Sequence, residues 1–526
     1  MMNKSCKCTV VLISLGIIGF IISFIITCWI LLCKCWSNME QIGDNLVAIV
    51  GLWGVFCTFI GVLMVINQIF YEEFRRTFAT VCQMQFEDIE KYHKVYIDIF
   101  PEFGFDSINT NQIVEGYNII DRDYCYKYIH GTDKENRLKM DFEELFLNEN
   151  VKEKYSMYKF PLIYKQNWLR SKNGLLEITQ QLDPPLQASE GKNPLAAKAE
   201  RFFKTFGLQL EGYPPFLASL GKKIWDGLSF DLYEVLQNTD KMQLKFIKGR
   251  YYNFVKYYEL ALKELYFNYY CDMKYKHSWL YRPMLPKKKT LRNCVNIRNI
   301  LNYKYRPIKL GINVFVIMCK DEDKQKYCTF IQRRGQDQVE YPGFYHVVPA
   351  GTFDPLSDWD KETVKNQFDF KFTILRELLE ELYNLEEADK NKDVDPFNIF
   401  RMGLPEKSDF KPGKYLLKYD TNKGVITEYH CEIILTGFLI DLVALKPELT
   451  AVLLIRSDKL YKKSKKIFHG NWEGPVKEFD LDDDDSEYSN FLKDNFNVDK
   501  ILPAGAAAIA EGIDYYFKEV RKTVNS

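Results

Sequence analysis

Three glutamates on one short segment are the strongest chemical signal in the sequence. Glu377, Glu380 and Glu381 stand at positions i, i+3 and i+4, a spacing that brings all three carboxylates to one face of an α-helix. Like charges at this spacing repel each other, and a divalent cation among the oxygens relieves the repulsion. Arg376 precedes the cluster and is placed to orient one carboxylate through a bidentate pair. The spacing therefore predicts a Mg²⁺ or Mn²⁺ site, with an acidic, solvent-exposed helix face as the alternative.

The glutamates lie in a predicted helix that follows three predicted strands. Residues 372–383 repeat apolar side chains at helical spacing. Upstream, residues 312–318 and 327–332 have the pattern of a β-hairpin around a charged turn, and residues 344–348 predict a third strand. That strand runs into the turn Pro349-Ala-Gly-Thr-Phe353. The pattern therefore places the glutamates on a helix reached from a strand through a glycine turn.

This order of strands, turn and helix resembles the Nudix fold. The family's signature is Gly, five residues, Glu, seven residues, and then Arg-Glu-hydrophobic-x-Glu-Glu-x-Gly-hydrophobic. The matching positions in this sequence are Gly351, Arg376, Glu377, Leu378, Glu380 and Glu381. The sequence differs by a longer, charged insertion before Arg376, by Phe368 in the register of the first glutamate, and by Tyr383 in place of the closing glycine. The resemblance covers about residue 309 to the C-terminus.

The resemblance implies a metal-dependent hydrolysis. In the family, the glutamates hold divalent metal ions that polarise a pyrophosphate linkage and activate a water molecule. Typical substrates are nucleoside diphosphates that carry another moiety. By this resemblance, Glu377, Glu380, Glu381 and Arg376 are the expected catalytic residues, with Mg²⁺ or Mn²⁺ as cofactor and a nucleotide-type small molecule as substrate or ligand.

Four residues outside the glutamate segment complete the expected site. Nudix enzymes often supply a further carboxylate from a loop outside the signature, and Glu473 in Gly470-Asn-Trp-Glu-Gly is the candidate fourth metal ligand. Arg333 and Arg334, at the end of a predicted strand, are candidates for binding a substrate phosphate, with a solvated strand end as the alternative. Gly351 is expected beside the substrate.

Two uncharged segments near the N-terminus predict a membrane hairpin. Val10 to Cys33 and Leu46 to Ile66 are each long enough to cross a bilayer core of about 30 Å. Lys4 and Lys7 precede the first segment, and Arg75 and Arg76 follow the second. The loop between the two segments holds the single basic residue Lys34. This asymmetry places both termini in the cytoplasm, in a multi-pass protein that we expect in a bacterial inner membrane. The alternative for the first segment is a cleaved signal peptide.

The composition limits the remaining possibilities. A chain of 526 residues with 47% hydrophobic residues predicts two or three folded domains. Because 71 basic residues balance 71 acidic ones, no nucleic acid partner is expected. The 13 cysteines lack the spacing of a disulfide framework, so we expect free thiols.

These patterns predict a membrane-anchored multidomain protein with two N-terminal transmembrane helices and a mostly α-helical middle region. The C-terminal domain is expected to belong to the α+β class, with helices on both sides of a Nudix-like mixed sheet in an α-β-α arrangement. The expected boundaries are 1–70 for the hairpin, 71–300 for a cytoplasmic helical stalk and helical middle domain, and 301–526 for the Nudix-like domain. A helical pattern after the second span, which ends by Pro101, predicts the stalk.

Three function classes compete. The first is a membrane-tethered hydrolase of a phosphoanhydride bond. The second is a catalytically degenerate Nudix-like module that senses a nucleotide and controls the membrane hairpin. The third is a bacterial defence-type membrane effector, in which the hairpin oligomerises and perturbs the bilayer when the cytoplasmic part receives a signal. The expected partners are the lipid bilayer, the nucleotide-type ligand and a second copy of the chain, associated through the hairpin and the stalk.

Overall fold

The fold of the 526-residue chain is taken from a computed structural model. It describes residues 25, 29, 42–83, 99–105, 113–121, 159–165, 168–169, 177–183, 194–204, 209–224, 226–237, 241–275, 277, 291–304, 306–355, 367–382, 419–420, 425–426, 431–464, 473–481 and 500–521. The contacts group the chain into two compact units. The smaller unit consists of Met1–Thr80, Thr205–Gly207 and His277–Met284. The larger unit consists of Val81–Lys204, Leu208–Lys276 and Leu285–Ser526, and it contains the strands that the structure describes.

One long helix dominates the described part of the smaller unit. Helix α1 spans Ile42–Cys82, a sequence without proline and rich in aliphatic and aromatic side chains. Its segment Trp53–Cys82 has a mean hydropathy of 1.8, and only 6% of its apolar window is buried. At 1.5 Å per residue, 30 residues exceed the thickness of a bilayer core of about 30 Å. By length and composition, this helix is a candidate membrane span.

The predicted pair of membrane helices was wrong. Within the described ranges, α1 is the one helix that meets the criteria for a span, and it contains the second predicted segment, Leu46 to Ile66. The first predicted segment, Val10 to Cys33, lies outside the described residues except at two positions. The sequence criterion failed because it scores uncharged length, which does not establish that a separate spanning helix forms.

The described residues of the middle region are also not mostly helical, contrary to the prediction. Its strands are β1 (Asn118–Asp121), β2 (Lys159–Tyr164), β3 (Glu177–Leu182), β4 (Leu228–Gln237) and β5 (Lys241–Arg250). Its helices are α2 (Pro194–Lys204), α3 (Tyr213–Ser219) and α4, which begins as Tyr251–Phe254, passes through a π-helical turn at Val255–Glu259 and continues as Leu260–Tyr275. Single 3₁₀ turns lie at Phe100–Phe103, Leu210–Gly212 and Arg292–Cys294.

A four-stranded sheet forms the centre of this region. Its order is β3-β5-β4-β6, where β6 is the two-residue strand Ile308–Lys309. Strands β4 and β5 form an antiparallel hairpin, and β3 pairs with β5 in parallel. Met242, Leu244 and Phe246 alternate along β5 and are fully buried, which is the period of a strand with one buried face. The sheet was therefore detectable from this alternation, which the helical interpretation overlooked.

A larger mixed sheet occupies the C-terminal half. Its further strands are β7 (Gly311–Asp321), β8 (Lys326–Arg333), β9 (Tyr345–Val347), β10 (Ala350–Thr352), β11 (Tyr419–Asp420), β12 (Val425–Ile426), β13 (Cys431–Asp441), β14 (Lys446–Ile455) and β15 (Val476–Asp480). The main strand order is β1-β2-β13-β14-β7-β8-β15, and β7 pairs with β14 in parallel. The predicted hairpin of β7 and β8 is confirmed. A mixed sheet is compatible with a Nudix-like domain and equally with other α/β folds.

The first and the last of the helices described in the C-terminal half lie on opposite faces of the larger sheet. Helix α5 spans Phe370–Glu377 and continues as a π-helical turn, Leu378–Leu382; α6 spans Asp458–Ser464; α7 spans Pro503–Tyr515 and continues as the π-helical turn Tyr516–Val520. Gly512 of α7 lies against Phe315, and Glu377 of α5 lies against Gly351, which pairs with Ile312. Positions 312 and 315 of one strand point to opposite faces. The C-terminal half therefore has helix, sheet and helix layers.

An aromatic cluster joins the two sheets into one core. Phe353 follows β10, and its ring lies 4.9 Å from that of Phe230 in β4 and 5.1 Å from that of Phe246 in β5. The ring of Phe370, the first residue of α5, lies 4.6 Å from Phe353. Phe368, which stands in the register of the family's first glutamate, packs in the same cluster. Burial of these rings fixes the start of α5 against the middle sheet.

Candidate functional site

A polar cavity of about 190 Å³ lies where the two sheets meet. The start of α4 forms one part of its wall, and the ends of β6, β7, β10 and β14 form another. Its charged lining residues are Lys223, Lys309, Arg334, Glu340, Asp354, Arg376, Glu377, Glu380, Lys446, Glu448 and Glu473. Such a density of buried charge in a concave site is typical of a ligand-binding site.

Helix α5 carries the predicted glutamates to this cavity. Its N-terminus is capped by Asp369, whose side chain accepts a hydrogen bond of 2.9 Å from the backbone N–H of Lys371. At its other end the helix widens into the π-helical turn, so the residues no longer follow α-helical spacing. Glu377 and Glu380 line the cavity, whereas Glu381 is buried beside it, 1% exposed.

Glu377 reaches the cavity because Gly351 has no side chain. A Cβ atom at position 351 would lie 2.8 Å from Cγ of Glu377 and closer still to its carboxylate. Only a glycine leaves room for the Glu377 carboxylate against strand β10. The structure thus gives the predicted glycine a steric role: it sets the separation between α5 and the sheet.

Arg376 forms hydrogen bonds on both sides of the turn after β10. Its Nη1 donates to the carbonyl oxygen of Asp354 at 2.7 Å, and its Nη2 contacts the carbonyl oxygen of Thr352 at 3.5 Å. Nη2 also forms an ion pair with Glu377, while Nε lies 3.9 Å from Oε1 of Glu380. Arg376 is 5% exposed, so these contacts hold both carboxylates in a low-dielectric setting.

Glu381 and Glu473 form a carboxyl pair. Oε2 of Glu381 accepts a hydrogen bond of 2.8 Å from the backbone N–H of Ala350. Burial raises the pKa of Glu381 well above its ordinary value, and the charges of Glu473 and Glu377 and a hydrogen bond with Glu473 raise it further. Two acids in hydrogen-bond contact cannot both ionise without a cation nearby, so one of them holds a proton.

The loop that carries Glu473 depends on its next residue. Gly474 has a φ of +153°, and a Cβ atom there would collide with the carbonyl oxygen of Arg333. The backbone of Glu473 is fixed as well, because its carbonyl oxygen accepts a hydrogen bond from the N–H of Gly335. The Glu473-Gly474 pair therefore directs this carboxylate to the cavity through backbone contacts with the end of β8.

The donor set suits a hard divalent cation in type and in charge. All four glutamates present oxygen ligands, and two of them share a carboxyl contact that a cation would neutralise. In the described part of the chain, however, no three His, Cys, Asp or Glu side chains converge on one point where an ion could bind. Arg376 pairs with Glu377 instead, so binding of an ion requires Glu377 to exchange this partner.

The two predicted phosphate ligands have different positions. Arg334 lines the cavity, where its Nη2 donates to Oε1 of Gln338 at 3.0 Å and its Nε to the carbonyl oxygen of Glu340 at 3.3 Å. Arg333 is exposed and does not line the cavity. Arg333 is the last residue of β8, whereas Arg334 follows the strand and its backbone N–H donates to the carbonyl oxygen of Phe344.

A second group of cavity residues was not identified from the sequence. Lys446 and Glu448 at the start of β14 form an ion pair of 3.1 Å, and Lys446 also lies 3.2 Å from Glu340. Nδ2 of Asn313 donates to Glu448 at 2.9 Å. His346 lies beside them, 4% exposed. The available signal was charge at the start of an otherwise apolar strand, which is also typical of a solvated strand end.

No protein-family model matches the sequence, and no curated protein matches it. The resemblance to the Nudix family therefore rests on the residues of the signature alone, and the activity that it implies is a proposal.

Proposed function

We propose that this chain is a membrane-anchored, metal-dependent hydrolase of a phosphoanhydride bond, of Nudix type, acting on a nucleoside diphosphate derivative. The observation that supports it most is the carboxyl contact between Glu381 and Glu473, two residues 92 positions apart, beside the cavity that Glu377 and Glu380 line. Both were candidate ligands of one metal site before any structural information. A hydrophobic core does not require such a pair, whereas a cation site does.

The chemistry assigns a task to each group. A bound Mg²⁺ or Mn²⁺ would supply neutralisation of phosphate charge and a more acidic water molecule. Glu377, Glu380, Glu381 and Glu473 would hold the ion, and the Ala350 N–H keeps Glu381 oriented toward it. Arg376 and Arg334 would bind phosphate oxygens of the substrate, which lowers the repulsion between the attacking oxygen and the diphosphate.

The first test is a double substitution, Glu380→Gln with Glu381→Gln, in the full chain. Release of phosphate or nucleoside monophosphate would be measured over a panel of nucleoside diphosphate derivatives with Mg²⁺ or Mn²⁺. We expect turnover by the unchanged chain and a loss of at least about a hundredfold in the variant, because two metal ligands are removed. The matched control is Glu432→Gln, an exposed ion-pair residue of β13 outside the cavity. Equal turnover in both variants would rule out this site.

The second candidate function is nucleotide binding without hydrolysis. The ion pair between Arg376 and Glu377 favours it, because it occupies one predicted metal ligand. Phe368 favours it too, since this position holds a ring of the aromatic core where the family has a glutamate. Calorimetry distinguishes the two candidates: a nucleotide that binds tightly and is recovered intact supports the sensor, and turnover supports the enzyme.

We further propose that α1 anchors the protein in a membrane, with the larger unit on the cytoplasmic side. Large apolar side chains on this helix are 44–67% exposed, namely those of Trp53, Phe56, Leu63, Met64 and Val65. Such a surface is stable in lipid and not in water. Arg75 and Arg76 follow the apolar part of the helix, and basic residues favour the cytoplasmic side.

A further inference from the structure

Four consecutive carbonyl oxygens in the wall of the cavity are bound by residues of the middle region. They belong to residues 336–339, which lie outside the described strands and helices, so no regular ladder satisfies their backbone groups. Nζ of Lys222 donates to the first and third of these oxygens at 3.0 Å each, the backbone N–H of Lys223 donates to the second at 3.3 Å, and Nζ of Lys263 donates to the fourth at 3.4 Å. Two ammonium groups and one amide therefore hold the backbone of this segment.

The same segment also contacts charged residues of the cavity. Gln338, Val339 and Glu340 line the cavity. Oε1 of Gln338 accepts a hydrogen bond of 3.0 Å from Arg334, and Oε2 of Glu340 lies 3.2 Å from Nζ of Lys446. The segment is thus held through its backbone by the two lysines of the middle region and through its side chains by the cavity. A ligand that changes the side-chain contacts therefore acts on both lysines.

A buried polar network lies behind the lysines. Nζ of Lys263 lies 3.5 Å from Oε1 of Glu259, the last residue of the π-helical turn in α4. The other carboxylate oxygen of Glu259 accepts a hydrogen bond from the hydroxyl group of Tyr213 in α3. The Tyr213 hydroxyl group is also in hydrogen-bond contact with the thiol of Cys82, and because its own proton goes to Glu259, the S–H is the donor. Each of these four side chains is at most 5% exposed.

The network joins the cavity wall to the end of helix α1. Cys82 is the last residue of α1, and it belongs to the larger unit together with all other members of the network. Burial and the nearby charge of Lys263 lower the pKa of Lys222 to about 8, so the two ammonium groups repel each other and depend on the carbonyl oxygens of the segment. A hydrophobic core does not require charges in this place, and a satisfied polar network passes a change at one end to its other members.

We propose that this buried network couples the cavity to the end of α1, so that a ligand that moves residues 336–340 also changes the packing of Cys82. The coupling is reciprocal, because a change at the end of α1 must alter ligand affinity by the same free energy. It concerns the regulation of the cavity, and it rests on the proposed function only for the identity of the ligand. Lys222 and Lys263 are thus positioning residues of the cavity wall.

The test measures how accessible Cys82 is in the full chain in detergent. Alkylation by N-ethylmaleimide would be followed by mass spectrometry of the peptide that contains Cys82. Glu340→Gln removes the charge that pairs with Lys446, and we expect it to accelerate alkylation of Cys82 at least about threefold, because the loosened segment releases the lysines. Glu234→Gln is the matched control, since it breaks an ion pair of 2.7 Å with Lys245 outside the cavity, and it should leave the rate unchanged.

Two other cysteines provide an internal reference for the same samples. Cys328 and Cys431 are 0% and 2% exposed and lie in strands outside the network. Faster alkylation of Cys82 alone supports the coupling. An equal acceleration at all three cysteines reports global loosening of the fold and overturns the coupling. An unchanged rate at Cys82 in folded Glu340→Gln also overturns it.

A second variant tests the path through the network. Glu259→Gln combined with Lys263→Met removes both charges together, so that neither is left buried without its partner. In this background, adding Glu340→Gln should no longer change the rate at Cys82, because the connection is already broken. A persistent threefold difference would refute the network as the path. The assay needs neither metal nor nucleotide, so a chain without hydrolytic activity can still show the coupling, and an active chain without coupling refutes this inference alone.

Discussion

At the scale of single residues, Gly351 links the sequence signature to the geometry of the site. A methyl group at this position would occupy the space of the Glu377 side chain. Gly212 offers a matched comparison, since a Cβ atom there would meet nothing within 4 Å and its φ is −78°.

We predict that Gly351→Ala lowers Mn²⁺ affinity at least about tenfold, because the added methyl group displaces Glu377 from β10 and from the Mn²⁺ ion that it would bind. Electron paramagnetic resonance of free Mn²⁺ would measure the affinity. Gly212→Ala should bind Mn²⁺ as the unchanged chain does. Equal affinity of the two alanine variants would show that Glu377 is not a ligand.

Asp231 provides a second residue-scale prediction, on stability. This β4 side chain accepts a hydrogen bond of 2.7 Å from Ser229. Burial raises the pKa of Asp231 from 3.8 to about 7, although Ser229 and Lys309 act in the opposite direction. The folded state therefore holds its proton more tightly than the unfolded state, and this contribution to stability is present below about pH 4 and is lost as the pH rises to about 7.

We expect Asp231→Asn to remove this pH dependence. The difference in free energy of unfolding between the variant and the unchanged chain should shift in favour of the variant as the pH increases from 4 to 8. Denaturation by urea at several pH values would measure it. A difference that stays constant across this range would contradict the assignment.

At the scale of elements, the proposal that helix α1 anchors the protein in a membrane leads to a prediction. Leu63 is 44% exposed within the apolar part of this helix. A charged residue at the centre of a membrane span costs about 2.5–3.5 kcal/mol, so Leu63→Arg should reduce the membrane-bound fraction. Flotation of membranes on a density gradient would measure that fraction. Leu236→Arg, at an exposed leucine of β4, is the control and should leave it unchanged. Full retention of Leu63→Arg would refute the anchor.

Element by element, the sequence allowed prediction where the side-chain period was unambiguous. The hairpin of β7 and β8 was predicted because two apolar runs enclose a charged turn. Strand β5 was missed although it alternates, because its polar positions are lysines and a glutamine that also suit an exposed helix face. The π-helical turn at Leu378 was unpredictable from spacing, since α-helical geometry was assumed and long-range packing decides the local turn.

The candidate site was predictable from the sequence only in part. Glu377, Glu380 and Glu473 are near one another in the structure, as a shared role in one site requires. Glu340 and Lys446 were missed because 106 residues separate them, and only the pairing of distant strands brings them together. The linear pattern of one sequence carries no information about that pairing.

At the scale of the whole molecule, the middle and C-terminal regions share one core. Strand β6 pairs with β4 across the predicted boundary at residue 300, and Phe353 packs between Phe230 and Phe246. A fragment of residues 301–526 would expose these rings and an unpaired strand edge.

We therefore predict that residues 301–526 do not fold alone, whereas residues 81–526 do. Near-ultraviolet circular dichroism and dispersion of amide resonances would measure this. A well-dispersed spectrum from the shorter fragment would show that the sheet of the middle region is not required. For the same reason, the proposed activity is best assayed with the full chain.

The pairing of β2 with β13 has a consequence for biosynthesis. Ile163 pairs with Ile440, so β2 obtains its partner β13 only after a much later part of the chain is made. At about 5–20 residues per second, the roughly 280 residues between them take on the order of 15 to 55 s to translate. Helix α1 leaves the ribosome well before that. The apolar helix of a nascent chain therefore emerges while one edge of β2 still lacks its partner β13, and protection of that edge by a chaperone matters most in this period.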